Sequence, residues 1–213
     1  ELANQLKLDM NPSKPEMILN KSKILLIESN KKEINHAEHI NHPESIFIVG
    51  MFRSGSTLLE SILSMNKSVD DLGETTILEE SFLKSKEVNQ NLTFAEIYWK
   101  KIKDLNKQAY ISTNKNLNNY QYTGVIAKQI PQAKIIHCFR NPLDNILSIY
   151  KANFAKGNEY SSSIIDSAKI YLDQEEIMNK YKAQYNLNLY DLDYDLLVTN
   201  PKEQIRALIA WLG

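Results

Sequence analysis

Residues 45–65 constrain the fold more than any other stretch of the chain. Ser45–Gly50 is a short apolar run of β-branched and aromatic type, and Ser56–Met65 carries Leu58, Leu59, Ile62 and Leu63 at helical spacing. Between them runs Gly50-Met51-Phe52-Arg53-Ser54-Gly55-Ser56-Thr57, so the order is strand, glycine turn, helix. That order gathers backbone N–H groups and the positive end of a helix dipole around one point, which suits a phosphate. Two glycines separated by four residues match the frame of a nucleotide-binding P-loop, but Ser56 stands where an NTPase needs its phosphate-reaching lysine. Arg53 brings the positive charge two residues before the second glycine, as a fork of N–H donors fit for an oxyanion. The alternative reading is a glycine turn with a surface arginine.

The rest of the chain alternates strands with helices. Residues 1–44 are polar and helix-prone, with Pro12 and Pro15 as breakers, and read as a helical lead-in to a domain over 45–213. Asp70–Gly73 and Ala109–Ser112 are expected as short strands, Ala133–Phe139 as the clearest buried strand and Leu187–Tyr194 as the last. Thr93 and Glu96 form a capping box for a helix to about Leu105, and Asn119–Gln129 reads as a helix that stops before Pro131. Asn141 with Pro142, and Asn200 with Pro201, supply two cap-plus-proline helix starts, the second with Ile205, Leu208, Ile209 and Leu212 on one face. A long helix is expected from Ser163 to about Tyr185. Such an order predicts an α/β, P-loop-like, three-layer fold: a mostly parallel central sheet flanked by helices.

Composition narrows the partners. The 25 basic and 26 acidic residues are spread along all 213 positions, so there is no basic field to hold a nucleic-acid backbone. Cys138 is the sole cysteine, inside an apolar strand, where a thiol packs; it excludes an internal disulfide and fits a reducing, cytoplasmic compartment. No apolar run approaches the ~20 residues of a membrane span. His36, His39 and His42 match no zinc spacing, so no metal is expected. The chain opens on Glu1 and stops at Gly213, which predicts a piece of a longer protein.

A second anion site is offered by Arg140, at the end of the best strand, and Ser148 on the helix after it. Carboxyl ends of parallel strands are where open α/β sheets bind ligands. Arg140 as an ion-pair partner of Asp144, and Ser148 as a plain helix-surface hydroxyl, are the alternatives. Taken together, Arg53–Thr57 and the Arg140, Ser148 pair resemble the sulfotransferases that use 3′-phosphoadenosine-5′-phosphosulfate (PAPS). The sequences Ile46-Phe47-Ile48-Val49-Gly50-Met51 and Arg140-Asn141-Pro142-Leu143-Asp144 are similar to the branch holding tyrosylprotein sulfotransferases and bacterial sulfotransferases fused to tetratricopeptide repeats. The similarity runs from about Ser45 to Gly213.

That resemblance implies transfer of the sulfuryl group from PAPS to an acceptor hydroxyl, leaving 3′-phosphoadenosine-5′-phosphate, with no metal. It implies that Arg53, Ser54, Gly55, Ser56 and Thr57 hold the 5′-phosphosulfate and that Arg140 and Ser148 hold the 3′-phosphate. Glu74, of the Gly73-Glu74 dipeptide, inherits the catalytic base, against the alternative of a solvated loop residue. Lys115 inherits the neutralisation of charge on the transferring oxygens, with Arg53 beside it, and Tyr194 a contact with the adenine face. Phe52 departs from the family's proline and Ser56 from its threonine. Thr75-Thr76-Ile77-Leu78 lacks the arginine-bearing continuation of the tyrosylprotein enzymes, so a protein-tyrosine acceptor does not carry over from the resemblance, while carbohydrate and small-molecule hydroxyls stay equally open. The family continues past the position of Gly213, so the C-terminal part of the domain is expected to be missing. A P-loop kinase or NTPase, and a non-catalytic nucleotide-binding module, are the competing readings.

Overall fold

A computed structural model describes residues 1–31, 44–105, 110–154 and 156–213. Two helices lead in, α1 (Leu2–Met10) and α2 (Pro15–Asn30). The sheet strands are β1 (Glu44–Gly50), β2 (Val69–Asp71), β3 (Ile111–Asn114), β4 (Lys134–Phe139) and β5 (Leu189–Asp193). Helices α3 (Ser56–Leu63), α4 (Ile77–Ser85), α5 (Phe94–Asp104), α6 (Thr123–Gln129), α7 (Pro142–Lys151) and α8 (Ile164–Tyr185) lie between them in chain order. The chain closes on α9 (Tyr194–Thr199) and α10 (Pro201–Leu212).

The five strands pair in the order β2-β3-β1-β4-β5, every pair parallel, as the α/β expectation requires. β1 is central, and it is buried from Ser45 to Gly50, the continuous apolar run of a strand covered on both faces. Alternation divides its residues between two cores. Phe47 and Val49 join Ile135 beneath Leu25 of α2, Tyr98 of α5, Ile126 of α6 and Met178 of α8. Ile46 and Ile48 join Ile136 and Cys138 beneath Leu59 and Leu63 of α3 and Leu208 of α10. The lead-in helix α2 therefore packs into the same core as the sheet. Cys138 is a packing residue, 1% exposed, with its thiol pushed up to about 12 by burial.

Several elements differ from the sequence reading. The strand expected at Ala109–Ser112 runs over Ile111–Asn114, because Thr113 and Asn114 are polar yet buried in the sheet. Asn119–Gln129 divides into a 3₁₀ turn, Leu117–Tyr122, followed by α6. The acidic stretch after Glu74 forms α4, with Glu79 and Glu80 in its first turn where the helix dipole favours carboxylates. The strand expected to Tyr194 stops at Asp193, whose carboxylate accepts from the amides of Asp195 and Leu196 and starts α9. The capping box at Thr93 and the Asn141 cap both form, but the Asn200 side chain caps nothing. The α10 face is also narrower than expected, since Leu208 is buried and Ile209 is 56% exposed. His36, His39 and His42 lie outside the described residues.

Candidate active site

The turn after β1 is built by two glycines for different reasons. Gly50 has φ +140, and a Cβ there would lie 2.2 Å from the Cys138 carbonyl oxygen of β4. Gly55 has φ +89 at the start of α3, and its Cβ would fall 2.1 Å from Cδ2 of Tyr194. The loop thus passes between a neighbouring strand and an aromatic ring with no room for a side chain at either point. Arg53 itself sits at φ 68, a left-handed conformation that few non-glycine residues adopt. Asn145 of α7, fully buried, pins the loop by donating to the Phe52 carbonyl at 3.0 Å. The amides of the first turn of α3 have no partner within the helix, and the buried Ser54 hydroxyl is without a hydrogen bond.

Arg140 leaves the carboxyl end of β4 beside this loop. Its guanidinium lies 5.1 Å from the centre of the Tyr194 ring. Its Nε is buried without a hydrogen-bond partner, with Asp195 Oδ1 at 3.7 Å and Asp144 Oδ2 4.0 Å from Nη2, both too far to satisfy a donor. Arg53 Nε donates to the Ser148 hydroxyl at 3.2 Å. Arg53, Arg140, Ser148 and Lys151 line one pocket of about 310 Å³. The two segments that the sequence paired across almost ninety residues meet here, with three cations, one hydroxyl and the Asp144 carboxylate.

Glu74 and Lys115 meet on the other side of the loop. Gly73, at φ +62, passes its carbonyl to the Lys115 amide at 3.0 Å, which brings the residues after β2 and β3 together. Lys115 Nζ lies 2.9 Å from Glu74 Oε1, 3.6 Å from Glu60 Oε2 and 3.5 Å from the Thr57 hydroxyl. Burial opposes the lysine's charge, but the Glu74 and Glu60 carboxylates outweigh it and hold its pKa above the usual value. Glu60 behaves in the opposite way: burial, and the Asp71 carboxylate beside it, push its pKa up to about 7 against the pull of Lys115. A cleft of about 570 Å³ joins these parts, lined among others by Arg53, Thr57, Glu74, Asn116, Arg140 and Tyr194.

A family model described as the sulfotransferase family matches residues 43–213. The chain belongs to the sulfotransferase family. An uncharacterized protein of Aquifex aeolicus (strain VF5) is 30% identical over 196 residues, covering 79% of this chain and 25% of that protein. The chain thus spans about a quarter of the length of that curated relative. Among solved structures, the sulfotransferase domain of the curacin biosynthetic pathway superposes with a TM-score of 0.60 at 17% identity, over 80% of this chain and 74% of that one. The sulfotransferase domain of the Synechococcus PCC 7002 olefin synthase gives 0.59 at 17%, over 85% and 77%. A sulfotransferase from Alicyclobacillus acidocaldarius gives 0.56 at 16%, over 82% of each chain. At these identities the likeness is one of fold.

Within this sulfotransferase-family fold, three residues of the site escaped the sequence reading. Glu60 is one of the buried positions Ser56, Leu59, Glu60 and Leu63 of α3, so a carboxylate on an otherwise inward helical face was its available signal. Asn145 and Lys151 follow the expected Arg140 on α7, but neither type nor spacing separates them from surface residues. Among the described residues, no group of three metal-ligating side chains converges and no helix is long and apolar enough to cross a membrane.

Proposed function

We propose that the protein transfers the sulfuryl group of PAPS to an acceptor hydroxyl, as a member of the branch that its loop sequences resemble. The observation that carries this reading is the convergence of Arg53, Arg140, Ser148 and Lys151 on one pocket beside an anion-binding loop. A nucleotide with phosphate at both the 3′ and 5′ positions needs two anion sites about one ribose apart, and the fold supplies a loop and a cation pocket joined by Arg53. The buried Nε of Arg140 and hydroxyl of Ser54, neither of them hydrogen-bonded, are donors that such a ligand would satisfy. Tyr194, held against Gly55 and Arg140, offers its ring to the base.

PAPS supplies an activated sulfuryl group, and the protein supplies position and charge. Loop amides, Ser54, Ser56 and Thr57 face the 5′ end. Glu74, with its side chain 59% exposed at the cleft mouth, accepts the acceptor's proton as the acceptor oxygen bonds to sulfur. The bond from sulfur to the 5′-phosphate oxygen breaks at the same time, and that oxygen keeps the electron pair. Lys115, next to Thr57, neutralises the charge that develops there. The acceptor is a hydroxyl of a carbohydrate, a small molecule or a protein tyrosine. The test is calorimetric titration with 3′-phosphoadenosine-5′-phosphate, with adenosine 5′-phosphate and with ATP. Binding should require the 3′-phosphate, and Arg53→Ala and Arg140→Ala should each weaken it about 10- to 100-fold. Equal binding of ATP, or none of any nucleotide, overturns the reading.

A further inference from the structure

Two carboxylates face one lysine beside the cleft, and the chemistry above uses only Glu74, the one of the three that lines it. Glu60 sits in the second turn of α3, behind the anion loop, with 5% of its surface exposed. Its Oε2 lies 3.6 Å from Lys115 Nζ, and its Oε1 accepts from the Thr113 hydroxyl at 3.4 Å. Glu74 reaches the same ammonium from the solvent side, and Thr57 of the loop helix touches it between the two. Removing a carboxylate from water costs several kcal/mol, and a buried ion pair rarely repays this in stability. Glu60 reaches both Thr113 of β3 and Lys115 after it, from a face of α3 otherwise buried through Ser56, Leu59 and Leu63, where a leucine would fill the space.

Resting on the sulfuryl-transfer reading, we propose that Glu60 is a positioning residue that anchors the Lys115 ammonium against the anion loop while Glu74 takes the acceptor's proton. When that proton arrives, Glu74 becomes a neutral carboxylic acid and ceases to be an ion-pair partner. Glu60 is then the carboxylate that Lys115 retains among the described residues, and Nζ stays beside Thr57, where charge develops on the leaving oxygen. Without Glu60, the same ammonium would be left buried and unpaired at the moment it is needed. Burial disfavours the charged form, so it would turn out to solvent or shed its proton. No bond to Glu60 forms or breaks, and it transfers no proton.

The groups that face Glu60 are Thr113 of β3, Lys115 after it, Asp71 at the end of β2, and Glu74 beyond the lysine. Burial and Asp71 hold its carboxyl at about 7, so the anchor is engaged above that pH and weakened below it. Catalysis should accordingly show an acid limb near pH 7 that belongs to Glu60.

Two measurements on the full chain decide the matter. With PAPS and a panel of phenols, hexoses, hexosamine oligosaccharides and a tyrosine peptide, Glu60→Gln should lower kcat about tenfold or more, with both KM values within about threefold. Its acid limb near pH 7 should vanish, and Glu60→Asp should recover part of kcat. The second measurement needs no turnover: trace acetylation of Lys115 by acetic anhydride at pH 8, read by mass spectrometry. Lys115 should react about tenfold faster in Glu74→Gln/Glu60→Gln than in Glu74→Gln, because only the double variant leaves it buried with no carboxylate. Equal labelling in the two, or an unchanged kcat and acid limb in Glu60→Gln, overturns the anchor. A wild type that transfers sulfuryl to none of the acceptors overturns the transfer reading instead, and the labelling comparison still decides the anchor.

Discussion

Gly50 and Gly55 frame the same loop but resist substitution for unlike reasons. An alanine Cβ at Gly50 meets a backbone oxygen of β4 that the register Gly50↔Cys138 fixes, whereas at Gly55 it meets the Tyr194 side chain, which can swing aside. Gly50→Ala is therefore expected to lower the melting temperature sharply or abolish folding. Gly55→Ala should stay folded, at a cost of about 1–2 kcal/mol for its left-handed backbone, while displacing Tyr194 and weakening 3′-phosphoadenosine-5′-phosphate about tenfold. Thermal melts and nucleotide titrations on both variants check the contrast; similar losses of fold would refute it. Glu74→Gln, in turn, should cut kcat by about 10²–10⁴ and leave nucleotide affinity within twofold, since the proposed reaction gives Glu74 the acceptor's proton and no phosphate contact. Arg53, Arg140 and both glycines were legible because their types and spacings are unusual together. Glu60 was not, because its role depends on Lys115, Thr113 and Asp71, which lie far off in sequence and meet it only across the sheet.

Elements were legible where a single period ran unbroken. β1 is a continuous apolar run from Ile46, β4 is one broken only by the buried His137, α5 opens on its capping box, and α8 is capped by Ser163 where the helix was expected to begin. β3 was displaced, and α4 and α9 were hidden, because tertiary burial overrode local composition: Thr113 and Asn114 are polar sheet residues, and α4 draws its apolar face from Ile77, Leu78 and Phe82 among acids and serines. The start of α7 matters for the site, since it fixes both Arg140 and Ser148. Asn141 Oδ1 accepts from the amides of Leu143 and Asp144, at 3.0 and 3.3 Å. Asn141→Ala should cost about 0.5–2 kcal/mol in chemical denaturation and, by loosening the turn, also weaken nucleotide binding. The lead-in helix α2 makes an equally concrete claim. Leu25, 4% exposed against the sheet core, should cost about 2–5 kcal/mol as Leu25→Ala, whereas a helix merely tethered to the domain would lose almost nothing.

At the scale of the whole molecule, the strand order explains why one loop collects charge from both sides. β1 is flanked by β3, whose continuation delivers Lys115, and by β4, whose end delivers Arg140, while β5 beyond it hands over Tyr194. The same crossing packs Glu60 of α3 against the far side of that arrangement and so couples the site to global stability. Between pH 4.5 and about 7, the native carboxyl of Glu60 holds a proton that the unfolded chain has released. Its contribution to stability is complete below the unfolded pKa and is lost as pH rises through about 7. Glu28 and Asp191 work in the opposite direction. Hydrogen bonds from Lys31 and Lys86 lower the first; for the second, burial is outweighed by His137 and Lys182. Their contributions are present above the ordinary carboxylate range and disappear in acid. Glu60→Gln carries a neutral amide at every pH, so it isolates the single group. Urea midpoints at pH 4, 6 and 8 should show the variant level with the wild type at pH 4 and more stable at pH 8, by at most roughly 3 kcal/mol. A gap that stays constant with pH would mean that the Glu60 carboxyl titrates alike in folded and unfolded chains. A gap that widens as stated would show a carboxylate ionising at the expense of the fold, in the same pH range where the anchor on Lys115 comes into force.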